Sequence, residues 1–146
     1  MWRDPSLVPL SQQHHNGLAL CVLTRRSLAA DSSPENVARL ARRAIDRYEL
    51  ELANHFEIEE QVLFPVCGPM PIVGELLLEH RMIETLVAEL RAAPSAALLE
   101  RFCALLSGHI RREESELFEQ IQAALPPEVL ARVGAEIDRR AVRVCL

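Results

Sequence analysis

The chain has 146 residues, one domain's worth, with 49% hydrophobic and 25% charged residues. Aromatics are only 4%, too few for a large sheet protein. Its 16 basic residues, all Arg, face 21 acidic ones, and the net charge of −5 excludes a nucleic-acid binder with a basic face. No apolar run approaches the ~20 residues of a membrane span. The start, Met1-Trp2-Arg3-Asp4-Pro5, lacks the apolar core of a secretory signal. The scattered thiols Cys21, Cys67, Cys103 and Cys145 form no C-x-x-C pair, so a reduced, cytoplasmic setting is expected.

Pro, Gly and Ser punctuation divides the chain at 4–9, 31–34, 65–74, 94 and 126–127. The intervening stretches are rich in Leu, Ala, Glu and Arg, which favour helix. The spacing predicts helices near 11–30, 34–64, 71–92 and 95–125, with a short fifth near 127–140. Ser33 before Pro34 reads as an N-cap followed by Pro at the first helical position, and Pro71 and Pro127 open helices in the same way. Short connections make neighbours antiparallel, giving an all-α, up-down four-helix bundle over about 10–125 and a short helix and tail over 126–146. The whole of 1–146 is expected to be one domain.

The apolar stripes carry an anomaly. In the second helix Val37, Ala41, Ala44, Tyr48, Leu52, His55, Glu59 and Val62 share a face. In the third the stripe is Val73, Leu76, Leu77, His80, Ile83 and Val87. In the fourth it is Leu98, Phe102, Leu105, His109, Glu113, Leu117, Ile121 and Ala124. Each stripe therefore contains a histidine, and His55-x-x-x-Glu59 and His109-x-x-x-Glu113 put a carboxylate one turn from an imidazole. A buried carboxylate is costly unless paired or bound to metal. Imidazole with carboxylate suits Fe, Mn or Zn. The run His55-Phe56-x-x-Glu59-Glu60-x-x-Leu63-Phe64 is echoed by His109-Ile110-x-x-Glu113-Glu114-x-x-Leu117-Phe118. More weakly, His15 with Leu18, Cys21 and Val22 aligns on His80 with Ile83, Leu86 and Val87. Two such hairpins related by a pseudo-two-fold bring four His and two Glu to the centre, and a dinuclear site follows.

The motifs Gln12-Gln13-His14-His15-Asn16-Gly17-Leu18, His55-Phe56-Glu57-Ile58-Glu59-Glu60-Gln61-Val62-Leu63-Phe64-Pro65, Glu79-His80-Arg81-Met82-Ile83 and His109-Ile110-Arg111-Arg112-Glu113-Glu114 occur in this order over about 10–125. In this the chain resembles the hemerythrin-like, HHE cation-binding family. The resemblance implies an antiparallel four-helix bundle holding two iron ions in a carboxylate-bridged, oxo- or hydroxo-bridged centre. Carried over by motif, the ligands are His15, His55, Glu59, His80, His109 and Glu113, with Glu59 and Glu113 bridging.

The chain departs from the oxygen carriers of that family. They have a second histidine one turn before the equivalent of His80, where this chain has Leu76, and a longer gap before the acidic residue of the last helix. The departures point away from reversible oxygen carriage. They favour reaction with or sensing of O2, peroxide or nitric oxide, or iron handling, with catalase- or peroxidase-like activity included. A di-iron oxidase is the second reading, disfavoured because no Glu stands three residues before any His. A metal-free helical interaction module is the third. The expected partner is a small diatomic or peroxide ligand, with no nucleic acid and no membrane. A monomer and a homodimer are equally compatible with it.

At several positions two roles compete. Aligning the hairpins favours His15 over His14. Glu113 lies about 40° from the His109 direction and Glu114 about 140°, which favours Glu113. Glu84 reads as a flank or outer partner of the site, Glu60 as facing solvent or Arg, and Tyr48 as core with a possible donor role. Cys21 and Cys103 read as small core residues, Cys67 and Cys145 as exposed thiols.

Overall fold

The computed structural model describes residues 2–144, and all regular structure among them is helical. A 3₁₀ turn at Pro5–Leu7 leads into α1, Val8–Ala30. α2 runs over 34–63, α3 over Pro71–Ala92, α4 over 96–124, and the short α5 over Pro127–Arg140. The expected spans hold to within a few residues. α1 begins earlier than its punctuation suggests because Pro9 falls in the first turn, where its missing N–H leaves no bond unmade. Ser33 caps α2 by accepting from the Asn36 N–H, and Pro34, Pro71 and Pro127 each open a helix.

Side-chain pairs give the direction of each neighbour. Gln13 meets Asn54 and Asn36 meets Ser27, so α1 and α2 are antiparallel. Glu60 meets His80 and Glu49 meets Arg91 between α2 and α3. Glu79 meets His109 and Glu75 meets Arg112 between α3 and α4. Ser11 meets Glu114 and Arg25 meets Glu100 between α1 and α4, which closes the ring.

Two helices are not uniform. α2 passes from α geometry at Pro34–Arg47 into wider π turns at Tyr48–Leu52 and again at Glu59–Leu63. α4 has one π turn, Glu113–Leu117, between Ala96–Arg112 and Phe118–Ala124. The turn in α4 and the second in α2 each begin at the glutamate of a His-x-x-x-Glu pair. π turns inside α-helices concentrate at functional sites. They also shift the inward stripe: after Glu59 the buried residues are Leu63 and Phe64, not the expected Val62.

The core lies in two apolar clusters. One gathers Leu20, Leu40, Leu52, Phe56, Ile83, Leu90, Phe102 and Ile110 among others. The other includes Leu10, Ile58, Leu63, Leu76, Leu117, Phe118 and, from α5, Leu130, Val133 and Ile137. Leu76, which stands where oxygen carriers have a histidine, is fully buried in this second cluster. α5 closes that end of the bundle. A Cβ at Gly134 would lie 2.8 Å from the Ser6 backbone, so the 3₁₀ turn packs directly on the helix there. No helix among the described residues is long and apolar enough to cross a membrane.

Candidate metal centre

Between the two apolar clusters the chain buries a layer of polar residues. His14 comes from α1, His55 and Glu59 from α2, His80 from α3, and His109 and Glu113 from α4. None is more than 3% exposed, and Glu59, Glu113 and His80 are wholly buried. They form two overlapping groups of four donors. His14 and His55 share Glu59 and Glu113 on one side, His80 and His109 share the same two carboxylates on the other, and donor atoms within each group lie within 4.8 Å of one another.

The histidine ring nitrogens divide into an inner and an outer set. Each Nδ1 turns outward to an acceptor: Glu114 for His14 at 2.6 Å, Gln13 for His55 at 2.8 Å, Glu60 for His80 at 2.8 Å and Glu79 for His109 at 2.8 Å. Carboxylates only accept, so three Nδ1 atoms carry the proton. The Gln13 amide nitrogen donates to Asn54 Oδ1 and the Val142 carbonyl. Its oxygen therefore faces His55, whose Nδ1 must also be the donor. All four rings turn Nε2 to the interior, the nitrogen left for metal ligation once any proton on it is displaced.

The inward atoms crowd around two carboxylate oxygens. His14 Nε2 lies 2.9 Å and His109 Nε2 3.3 Å from Glu113 Oε1, while His80 Nε2 lies 3.0 Å and His55 Nε2 3.4 Å from Glu59 Oε1. Nε2 of His55 and His109 and Oε2 of Glu59 and Glu113 have no hydrogen-bond partner at all. Glu51, the other buried carboxylate among the described residues, has both oxygens bonded, to Arg47 and Asn16. Orphaned buried polar atoms are rare and costly. Here they are imidazole nitrogens and carboxylate oxygens within two overlapping donor groups, and the set fits a metal site.

The electrostatics show the same tension. Burial, reinforced by the charge of Glu113, holds the Glu59 carboxyl well above the ordinary range. Burial acts on Glu113 too, but His109, Glu59 and His14 outweigh it and hold that carboxyl well below the range. Burial drives His55 and His80 down to about 4. It opposes the charge of His14 and His109 as well, yet the adjacent carboxylates leave both raised. Cations between the carboxylates would relieve the repulsion.

Aromatic rings wall the layer. Phe56 stacks on His80 with centroids 4.0 Å apart and meets His55 and His109 edge-on. Phe118 stacks on His14 at 5.3 Å, and Phe64 lies against His80.

His55, Glu59, His80, His109 and Glu113 are thus brought together as the spacing predicts. His15 is not: it is exposed, and His14 turns inward. The inward register of α1 lies one residue before the expected one because its buried face contains Gly17. Ile110 Cδ1 sits 2.8 Å from the position a Gly17 Cβ would take, so a glycine fills the place that Ile83 holds in α3. The apolar Leu18, one residue on, is only half-buried, and Val22 is 47% exposed. Glu114 lies outside the donor set as expected, and backs His14. Glu60 reaches both Arg81 and, unexpectedly, His80. Glu84 pairs with Arg81 on the flank. Tyr48 packs half-buried against Phe56 in the core. Cys21 and Cys103 are core residues. Cys67, expected exposed, is buried, donates to the Leu63 carbonyl and has its thiol pushed up to about 11 by burial. Cys145 lies outside the described residues.

Neither Gln13 nor Glu79 lies on a histidine-bearing apolar stripe of the helix it supports. Their signal is positional: each directly precedes an inward histidine, just as Glu60 and Glu114 directly follow an inward glutamate.

Searches of curated proteins and of solved structures gave no significant match. The model of the family described as hemerythrin HHE cation binding domain matches residues 9–121, a span that contains every residue of the polar layer. The chain belongs to the hemerythrin HHE cation-binding domain family.

Proposed function

We propose that this chain is a non-heme di-iron protein that binds, senses or reacts with a small oxidant: O2, hydrogen peroxide or nitric oxide. The observation that carries this reading is the pair of overlapping donor groups sharing Glu59 and Glu113, with unpartnered buried atoms on both sides. His14, His55, Glu59 and Glu113 would hold one ion, and His80, His109, Glu59 and Glu113 the other. A set of two imidazoles and two shared carboxylates is typical of iron or manganese chemistry rather than of closed structural zinc sites. Bound iron would supply redox and Lewis-acid chemistry there.

The chain's own residues do the rest. Glu114, Glu60, Glu79 and Gln13 hold the Nδ1 protons and so aim every Nε2 at the interior as the ligating nitrogen. Phe56, Phe64 and Phe118 exclude water from the imidazoles. Burial of every donor restricts access to small molecules. A metal-free interaction module would leave four buried polar atoms without partners.

The reading is tested by adding hydrogen peroxide or nitric oxide to reduced, iron-loaded protein and following its near-ultraviolet and visible absorption. A stoichiometric change with either, absent in Glu113→Ala, is the expected result. No change with either reagent, or with O2, would overturn it.

A further inference from the structure

The outer partners obey the same pseudo-two-fold as the inner donors, with one chemical break. His14 of α1 is backed by Glu114, the residue after Glu113, and His80 of α3 by Glu60, the residue after Glu59. The second pair also corresponds: His55 is backed by Gln13, just before His14, and His109 by Glu79, just before His80. At this symmetry-related position one half has a neutral amide and the other a carboxylate. Each outer carboxylate is in turn held by an arginine: Glu114 by Arg3, Glu60 by Arg81, Glu79 by Arg112. Gln13 instead bridges to Asn54 and to the Val142 carbonyl in the tail beyond α5. A carboxylate at position 13 could not donate to those two acceptors, so the tail contact and the neutral backing of His55 come from the same side chain.

From this difference, and resting on the dinuclear reading above, we infer that the two metal positions are unequal, the His80–His109 position holding its ion more tightly and the His14–His55 position, backed in part by Gln13, being the exchangeable one. An Nδ1–H donating to a carboxylate makes the imidazole a stronger base and a better donor than one donating to an amide oxygen, and losing such a partner typically lowers metal affinity about 10–100-fold. His80 and His109 both have carboxylate partners, whereas on the other side only His14 does. Gln13 and Glu79 act through the histidines they orient and are positioning residues.

The test is graded chelator competition on the full chain loaded with two Fe(II) under anaerobic conditions, following iron retained per chain. Two separated steps, about 10–100-fold apart in chelator concentration, are expected. Glu79→Gln should weaken the tighter step and close the gap from above. Gln13→Glu should strengthen the weaker step and close it from below. A merely structural role would move both steps together. Loss of both ions in one step from the unaltered chain, or a Glu79→Gln change confined to the weaker step, overturns the inference alone. Failure to load two Fe(II) overturns the dinuclear reading with it.

Discussion

The α1–α2 and α3–α4 hairpins surround the same polar layer but support it differently. In α3 the inward stripe around His80 is built from Ile83, Leu86, Val87 and Leu90, all buried aliphatics. In α1 the corresponding stripe around His14 contains Gly17, Leu20, Cys21 and Thr24. The smaller residues let α1 approach α4 closely, with Ile110 reaching into the space over Gly17. The donors match across the two-fold while the packing beneath them does not. Symmetry here is conserved at the level of donor atoms, and each hairpin reaches it with its own core.

That comparison can be broken first at its shared centre. Glu59→Ala or Glu113→Ala removes a carboxylate common to both donor groups, and iron analysis should then find at most one ion per chain. Glu60→Ala should retain two ions but weaken uptake about 10–100-fold, because Glu60 supports His80 without entering the donor set. Next comes the identity of the α1 donor. His14→Ala should lose one ion's binding, whereas His15→Ala, altering an exposed side chain, should leave uptake unchanged. Packing gives the next contrast. Ile83→Ala should cost about 2–5 kcal/mol in chemical denaturation by opening a cavity. Gly17→Ala should cost less, about 1 kcal/mol, because the side chain it meets ends in a flexible methyl that can move aside.

The smallest expected effect is on pH dependence. In the metal-free protein Glu59, His14 and His109 all have raised proton affinity. Ions must displace those protons, so uptake near neutral pH should release protons to the medium and weaken as pH falls. His55 and His80 work in the opposite sense, since both are held down to about 4 and enter the site already neutral. Proton release measured in lightly buffered solution should therefore fall in His14→Ala more than in His55→Ala.

Much of this was legible in the sequence. The helix spans followed from proline and serine punctuation, and the histidine–glutamate pairs from their place on apolar stripes. Five of the six inward donors came from that periodicity. The sixth failed for a packing reason: a stripe search seeks bulk, and α1 places a glycine where its neighbour helix enters. The π turns at Glu59 and Glu113 were hidden because a five-residue turn has no sequence signature as distinct as a proline or a cap. The outer partners were invisible as partners because each is contributed by a different helix from the histidine it supports. Cys67 lies in a Pro/Gly-rich connection that reads as exposed, yet its thiol turns back onto the Leu63 carbonyl.

The most direct test of the account is iron content per chain in the purified protein, paired with its near-ultraviolet absorption. Two irons with charge-transfer absorption, with the two-iron occupancy and that absorption lost in Glu113→Ala, is the result predicted by a pair of donor groups sharing Glu59 and Glu113. Metal-free protein that takes up no iron, and whose stability is unchanged when iron is added, would contradict it.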